Sequence, residues 1–112
     1  MKYYGQLLTM GMGSKTSDMN KYKENAEHAL RIADRMIEME STRAVPWTFR
    51  CLALGALLRY SEALVANDHA IEIDPSDPDK WDLRVTILKA LDRKNEAIEA
   101  ANQARTLRKG QD

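Results

Sequence analysis

The sequence has few of the residues that stabilise small disulfide-rich domains or mark β-hairpins. Cys51 is the only cysteine, which excludes a disulfide framework within the chain, and its position beside Leu52 predicts a small buried hydrophobe. Asn-Gly and Asp-Gly pairs are absent, and β-branched residues rarely cluster. Because these are the usual signals of hairpins and strands, we expect no β-sheet.

An excess of one charge and a long apolar run are also missing. The 17 basic and 17 acidic residues give a formal net charge of zero, which argues against a nucleic-acid or membrane-surface partner. The sequence contains neither a stretch of about 18 apolar residues nor a signal-peptide pattern. These features predict a soluble, cytoplasmic protein.

Residue sets that support catalysis are missing as well. His28 and His69 lie far apart in sequence, and there is no serine–histidine–aspartate set, zinc-ligand spacing or HExxH motif. The segment 11–16 reads GMGSKT, but a phosphate-binding loop requires glycine before the lysine, where this chain has Ser14. We expect no enzyme, no cofactor and no metal, and we interpret both histidines as packing or surface residues.

Acidic residues concentrate between Asp68 and Asp82, where six carboxylates accompany one lysine. The simplest interpretation is that they cap helices and occupy first turns, where the helix dipole favours negative charge. The alternative is an acidic rim for a basic peptide, or a weak cation site. The ligand ladder and glycine of a calcium loop are absent, which disfavours a metal.

What the sequence does contain is a repeat of 34 residues. Trp47 recurs as Trp81, and Leu54 recurs as Leu88. A fixed period of this size is typical of stacked arrays, in which each unit buries its apolar face against the next. Further positions keep the spacing over three units, namely Ala29, Ala63 and Ala97; Leu30, Leu64 and Ile98; Met36, Ala70 and Ala104; and Met39, Ile73 and Leu107.

The units resemble the tetratricopeptide repeat, a pair of antiparallel helices of the same period. In that family an aromatic residue opens the first helix, alanines lie where the second helix crosses it, and a proline closes the unit. The resemblance covers residues 26–107 and implies an all-α antiparallel helix-hairpin array, an α-solenoid of about two and a half repeats. One repeat matches through Trp47, Ala63, Ala70 and Pro75, and the next, without the proline, through Trp81, Ala97 and Ala104.

A weaker similarity is to the repeats of the protein prenyltransferase alpha subunit, which carry Trp-x-x-Arg where the tetratricopeptide repeat prefers leucine to the arginine. The segments from Trp47 to Arg50 and from Trp81 to Arg84 match that pattern. That subunit is several times longer and works only with a catalytic partner. We interpret Arg50 and Arg84 as hydrogen-bond donors between repeats.

The helices are expected near residues 19–40, 44–57, 60–73, 78–91 and 94–108. Asp77 is expected to cap the fourth helix, with Pro78 at its first position, and Ala100 is expected on the outer face. Residues 1–17 lie outside the repeat. We therefore divide the chain into an N-terminal extension, 1–17, and a repeat domain, 18–112.

Two functional hypotheses follow. The first is a protein–protein interaction module that binds a peptide on the concave face formed by the first helix of each unit. Two aspartates on that face favour an apolar or basic ligand over an acidic C-terminal tail. On a helical wheel the face comprises Thr48, Leu52, Ala56, Asp79, Asp82, Thr86 and Lys89.

The second hypothesis is a structural or assembly subunit that associates with itself through the open ends of the array. Stability in such arrays needs about three units and polar end caps, and this chain has about two and a half units. We expect a homodimer, with Tyr3, Tyr4, Leu7 and Leu8 near the contact or folded into the chain's own groove.

Overall fold

The computed structural model describes the backbone of residues 2–111 and the side chains of residues 18–111. The backbone forms helices α1 (Lys2–Met39), α2 (Ala44–Ala56), α3 (Tyr60–Ile73), α4 (Pro78–Ala90) and α5 (Lys94–Gln111). Each helix packs mainly on its neighbours in sequence, and α2 on α3 and α4 on α5 form the closest pairs. The part of the chain described contains no strand. The predicted all-α array of helix hairpins is confirmed.

The first helix begins much earlier than the sequence predicted. We expected a start near residue 19, and α1 begins at Lys2; the predicted bounds of the other four helices are correct to within three residues. Residues 2–17 include glycines but no proline, and glycine weakens a helix without removing a backbone donor as proline does. The helix therefore continues beyond the repeat. The division of the chain at residue 17 stays a prediction.

The turns after α2 and α4 share one backbone geometry. Leu58 has a φ of 61°, and its N–H donates to the carbonyl oxygen of Gly55 at 3.0 Å. The N–H of Arg59 donates to the carbonyl oxygen of Leu54 at 2.9 Å. Together these bonds form a Schellman motif, which satisfies the last carbonyls of the helix. The same motif recurs one period later around Asp92, with a φ of 58°.

Helix α4 begins as predicted. Pro78 is its first residue and Asp77 is its N-cap, whose carboxylate accepts a hydrogen bond of 2.9 Å from the N–H of Asp79. Nζ of Lys80 donates to the other carboxylate oxygen of Asp77 at 3.0 Å. These two bonds, the one from Lys80 first, lower the pKa of Asp77.

Small side chains fill the places where the helices cross. Ala63 and Ala97 are buried against α2 and α4, and the leucines of the repeat, Leu54 and Leu88, are fully buried beside them. Such small residues allow two helix backbones to approach closely. The expectation for Ala100 is wrong, since it is buried in the same core. The buried face of α5 is broad enough to include it with Ala97.

The lone cysteine also belongs to this core. Cys51 is buried among the residues that join α2 to α3, which confirms its interpretation as a small hydrophobe. Burial raises the pKa of its thiol to about 12, and the negative charge of Asp68 contributes in the same direction. A thiol with so high a pKa carries almost no thiolate at neutral pH, so it is a poor nucleophile.

Candidate partner-binding groove

The tryptophans at the start of α2 and α4 each donate a hydrogen bond to the loop that precedes the helix. Nε1 of Trp47 donates to the carbonyl oxygen of Ser41, and Nε1 of Trp81 donates to that of Pro75, both at 3.0 Å. The Trp47 ring stacks on His69 of α3, with centroids 4.1 Å apart and planes at 23°. The rings of Trp47 and His69 therefore serve packing, as expected.

One arginine in each unit forms an ion pair with the preceding helix. Arg50 of α2 donates to the carboxylate of Asp34 on α1, and Arg84 of α4 donates to that of Asp68 on α3. The two pairs lie one period apart and confirm the predicted role of these arginines. Each pair joins helices of different units, and so holds α2 against α1 and α4 against α3.

Helices α2 and α4 border an open groove of about 560 Å³, called here the central groove. Phe49 and Leu52 each keep about half of their surface exposed in it. Large apolar side chains gathered on one surface are typical of interaction sites. The groove is lined by Val45, Thr48, Phe49 and Leu52 from α2, and by Asp77, Asp79, Lys80, Asp82, Leu83 and Thr86 from the start of α4.

The central groove also holds a buried polar atom. The hydroxyl oxygen of Thr48 is buried and has no hydrogen-bond partner among residues 18–111. Leaving a buried hydroxyl unpaired is unfavourable by about 1–3 kcal/mol. Because this oxygen is closed to solvent, a ligand in the open groove does not contact it in this conformation.

Two carboxylates at the start of α4 are held by an arginine from the end of α5. Nη2 of Arg108 lies 3.2 Å from a carboxylate oxygen of Asp79, and the same guanidinium donates to both carboxylate oxygens of Asp82. These bonds, the one to Asp82 first, raise the pKa of Arg108. One guanidinium between two carboxylates leaves this edge of the groove with a net negative charge.

Arg108 is not among the residues predicted for this site. Its position in the last turn of α5 suits the negative end of the helix dipole, and that explanation is sufficient when only the sequence is considered. The signal that could have identified Arg108 is the antiparallel arrangement of α4 and α5. In an antiparallel hairpin the end of α5 lies beside the start of α4, so a basic residue there comes within reach of Asp79 and Asp82.

The structure brings most of the predicted face residues together. Ala56 lies outside the central groove, in a neighbouring groove between α1 and α2, and Lys89 is exposed and lines neither groove. Participation of all seven in binding stays a prediction. Five of them line the central groove, namely Thr48, Leu52, Asp79, Asp82 and Thr86.

The neighbouring groove, called here the lateral groove, has a volume of about 470 Å³ and is almost wholly apolar. Phe49 and Leu52 belong to both grooves, so the two form one continuous surface. Its lining consists of Tyr22, Asn25, Ala26, Ala29 and Ile32 from α1, and Phe49, Leu52, Ala53 and Ala56 from α2.

No group of three or more histidine, cysteine or acidic side chains among the described residues is arranged to hold a metal ion. No helix in that part of the chain combines the length and apolarity needed to cross a bilayer.

No protein-family model and no curated protein matches the chain, but solved structures do. MamA from Desulfovibrio magneticus RS-1 superposes with a TM-score of 0.77 at 18% identity, over 92% of this chain and 58% of that one. The TPR2B domain of yeast Sti1, in complex with an Hsp70 peptide, gives 0.73 at 25% identity, over 88% and 80%. The second TPR domain of Spaghetti (RPAP3), bound to the HSP90 peptide SRMEEVD, gives 0.71 at 24% identity, over 84% and 89%.

These likenesses define the fold. The chain spans a little over half the length of the MamA structure and most of the other two domains. The repeat of 34 residues agrees with these superpositions. The chain has the tetratricopeptide repeat fold.

Proposed function

We propose that this chain is a protein-interaction module that binds a peptide segment of a partner protein in the central groove. The observation that carries the proposal is the combination of two half-exposed apolar side chains, Phe49 and Leu52, with a negatively charged edge at Asp79 and Asp82. Domains of the same fold bind peptides in the Sti1 and RPAP3 structures. Concave helical surfaces of stacked repeats suit extended or helical peptides.

The chemistry of the groove favours an apolar or basic segment. Phe49 and Leu52 offer apolar contact area to such a segment. Asp79 and Asp82 carry two negative charges against the single positive charge of Arg108. A lysine or arginine of the ligand would complete this pairing, whereas a further carboxylate would be repelled.

Selection from a random peptide display library on the immobilised full chain would test the proposal. We expect enriched peptides to combine an apolar side chain with lysine or arginine. Calorimetry on a synthetic copy of the best peptide should show that Leu52→Glu and Asp82→Lys each weaken binding about tenfold or more, because each removes a complementary contact.

The matched control is Glu72→Lys on α3, which makes the same charge reversal at an exposed residue outside both grooves. It should leave the affinity within about twofold, since an exposed charge at a distance is largely screened. Enrichment of acidic peptides, or equal effects of Asp82→Lys and Glu72→Lys, would contradict the proposal.

A second candidate role is that of an assembly subunit. The observation that favours it is the lateral groove, whose apolar lining on α1 and α2 is left exposed. Ile32, Phe49 and Leu52 each expose about half of their surface there. Exposed apolar surface of this kind commonly marks an interface between proteins.

A further inference from the structure

Helix α1 lacks a packing partner that the equivalent helices possess. Ala63 of α3 and Ala97 of α5 are buried beneath α2 and α4, whereas Ala29 occupies the same repeat position on α1 and is exposed. The same face of the repeat is therefore covered on α3 and α5 and uncovered on α1. The uncovered face lines the lateral groove.

A second repeat position shows the same difference. Ala66 and Ala100 are buried, but their equivalent on α1 is Ile32, which is larger and 46% exposed. A bulkier apolar side chain at the uncovered position is unfavourable in water unless something covers it. This face of α1 is thus exposed, whereas the equivalent positions of α3 and α5 are covered.

We propose that a second copy of this chain covers the lateral groove, with the N-terminal half of its α1 lying antiparallel on the C-terminal half of the first. The two copies are then related by a two-fold axis that crosses α1 near its middle. The inference rests on the assembly role proposed above, and because Phe49 and Leu52 line both grooves, a second copy there would also cover part of the central groove.

The length of α1 supplies the covering helix. It has 38 residues, against 14 in α3 and 18 in α5. In the sequence, Tyr3, Leu7 and Met10 recur at helical spacing, as an apolar stripe does. An antiparallel pairing that sets Leu7 opposite Ile32 also sets Met10 opposite Ala29, so one register matches the apolar positions of both halves.

The continuity of α1 decides between a second copy and the same chain. The helix runs unbroken from Lys2 to Met39. A segment that precedes residue 18 cannot turn back onto Ala29 without breaking the helix between them. With α1 intact, no segment within Lys2–Met39 can cover Ala29, and the occupant proposed here is the helix of another molecule.

Charges near the axis agree with the antiparallel register. That register places Asp18 of one copy opposite Lys21 of the other. The two-fold axis generates a second, equivalent pair. Both side chains are exposed on α1. A parallel pairing in the same register would place Asp18 opposite Asp18 and Lys21 opposite Lys21 of the other molecule, and like charges repel.

Sedimentation equilibrium of the full chain would measure the dimer and the effect of Ile32→Glu. The wild type should be a dimer, and Ile32→Glu should weaken it about tenfold or more, because a carboxylate would be buried without a partner. The control is Ile98→Glu on α5, where an isoleucine of similar exposure lies outside the groove. A monomeric wild type, or equal effects of the two changes, would overturn the proposal.

Charge exchange tests the register. Asp18→Lys and Lys21→Asp should each weaken the dimer several-fold, and the double exchange should restore it, since the pairs are then reversed but intact. Single changes that act but are not rescued by the double exchange would contradict the antiparallel pairing. Asp18 and Lys21 lie outside the central groove, so peptide binding measured at a chain concentration where the protein is monomeric tests that groove separately from the dimer.

A disulfide distinguishes a second copy from the same chain. Under oxidation the variant Met10→Cys/Ala29→Cys should form a covalent dimer on a non-reducing gel, whereas each single variant should not. On one intact helix these two positions are about 28 Å apart, too far for a bond. The native Cys51 is buried and does not interfere. An internal cross-link in a monomer would overturn the proposal.

Discussion

Leu58 and Asp92 hold the same left-handed backbone conformation, one period apart, at the ends of α2 and α4. Aspartate tolerates this region better than leucine does, and glycine tolerates it best. Leu58 is 71% exposed, so its side chain gains little from packing. The same turn therefore occurs twice, and Leu58 in the first turn is less suited to this conformation than Asp92 in the second.

Leu58→Gly should raise the free energy of unfolding by about 0.5–1 kcal/mol, because it removes the steric penalty at the C′ position of the Schellman motif. Asp92→Gly is the matched variant and should raise it by less, since aspartate pays a smaller penalty there. Urea denaturation followed by circular dichroism measures both. A larger gain from Asp92→Gly would show that the penalty does not depend on the residue as argued.

Ala63→Leu and Ala97→Leu should each lower the free energy of unfolding by about 1–3 kcal/mol, since a larger side chain cannot fit where two helices cross closely. Both alanines are almost fully buried. Ala90→Leu, at an exposed position of α4, should change stability little. Thermal melts that rank Ala90→Leu as the most damaging would contradict the assigned crossings.

Asp77→Ala should lower the free energy of unfolding by about 1 kcal/mol at neutral pH, the usual contribution of an N-cap. The pKa of Asp77 is lowered in the folded protein by Lys80 and the N–H of Asp79. A lowered pKa stabilises the fold above the ordinary aspartate range, and this contribution is lost as the pH falls through the folded value.

The difference between wild type and Asp77→Ala should therefore shrink as the pH is lowered from about 7 to below about 4. Asp77→Asn separates the charge from the cap, because asparagine keeps the accepting oxygen. Its stability relative to Asp77→Ala should change little over that range. Denaturant titrations at several pH values give all three curves, and a difference that grows on acidification would contradict the assignment.

The peptide SRMEEVD should not bind the central groove measurably. It carries three acidic residues against one arginine, and the groove presents Asp77, Asp79 and Asp82 against the positive charges of Lys80 and Arg108. Calorimetric titration is the direct test. Micromolar affinity would show that the charge of this edge does not govern the ligand.

A basic peptide provides the complementary measurement. Its binding should weaken as salt rises, because the contacts to Asp79 and Asp82 lie at the surface and are screened. Affinity that is independent of salt would indicate that the apolar residues Phe49 and Leu52 supply all of the binding.

The fold could be predicted because its signals are local and repeated. The spacing from Trp47 to Trp81, the alanines at the crossings and the cap at Asp77 each specify a short piece of backbone, and each recurs or adjoins its partner in sequence. Arg50 and Arg84 were identified as inter-repeat donors for the same reason. Their partners Asp34 and Asp68 are also one period apart, so the same contact occurs twice.

The site could be predicted only in part because it depends on contacts between positions that the period does not relate. Arg108 reaches Asp82 across the last hairpin, and the equivalent positions in the earlier repeat are Asp74 and Thr48. The start of α1 was misplaced for a similar reason. The repeat pattern does not predict how far α1 extends on the N-terminal side of the repeat.

The contacts of this molecule are short-range along the chain, since each helix packs chiefly on the one before and the one after it. Folding speed depends on how far apart in sequence the contacting residues are, because closing a long loop is slow. The hairpin of α4 and α5 needs only the three-residue turn around Asp92 before its helices meet. We infer rapid folding by successive addition of neighbouring helices, without a slow search for distant pairs.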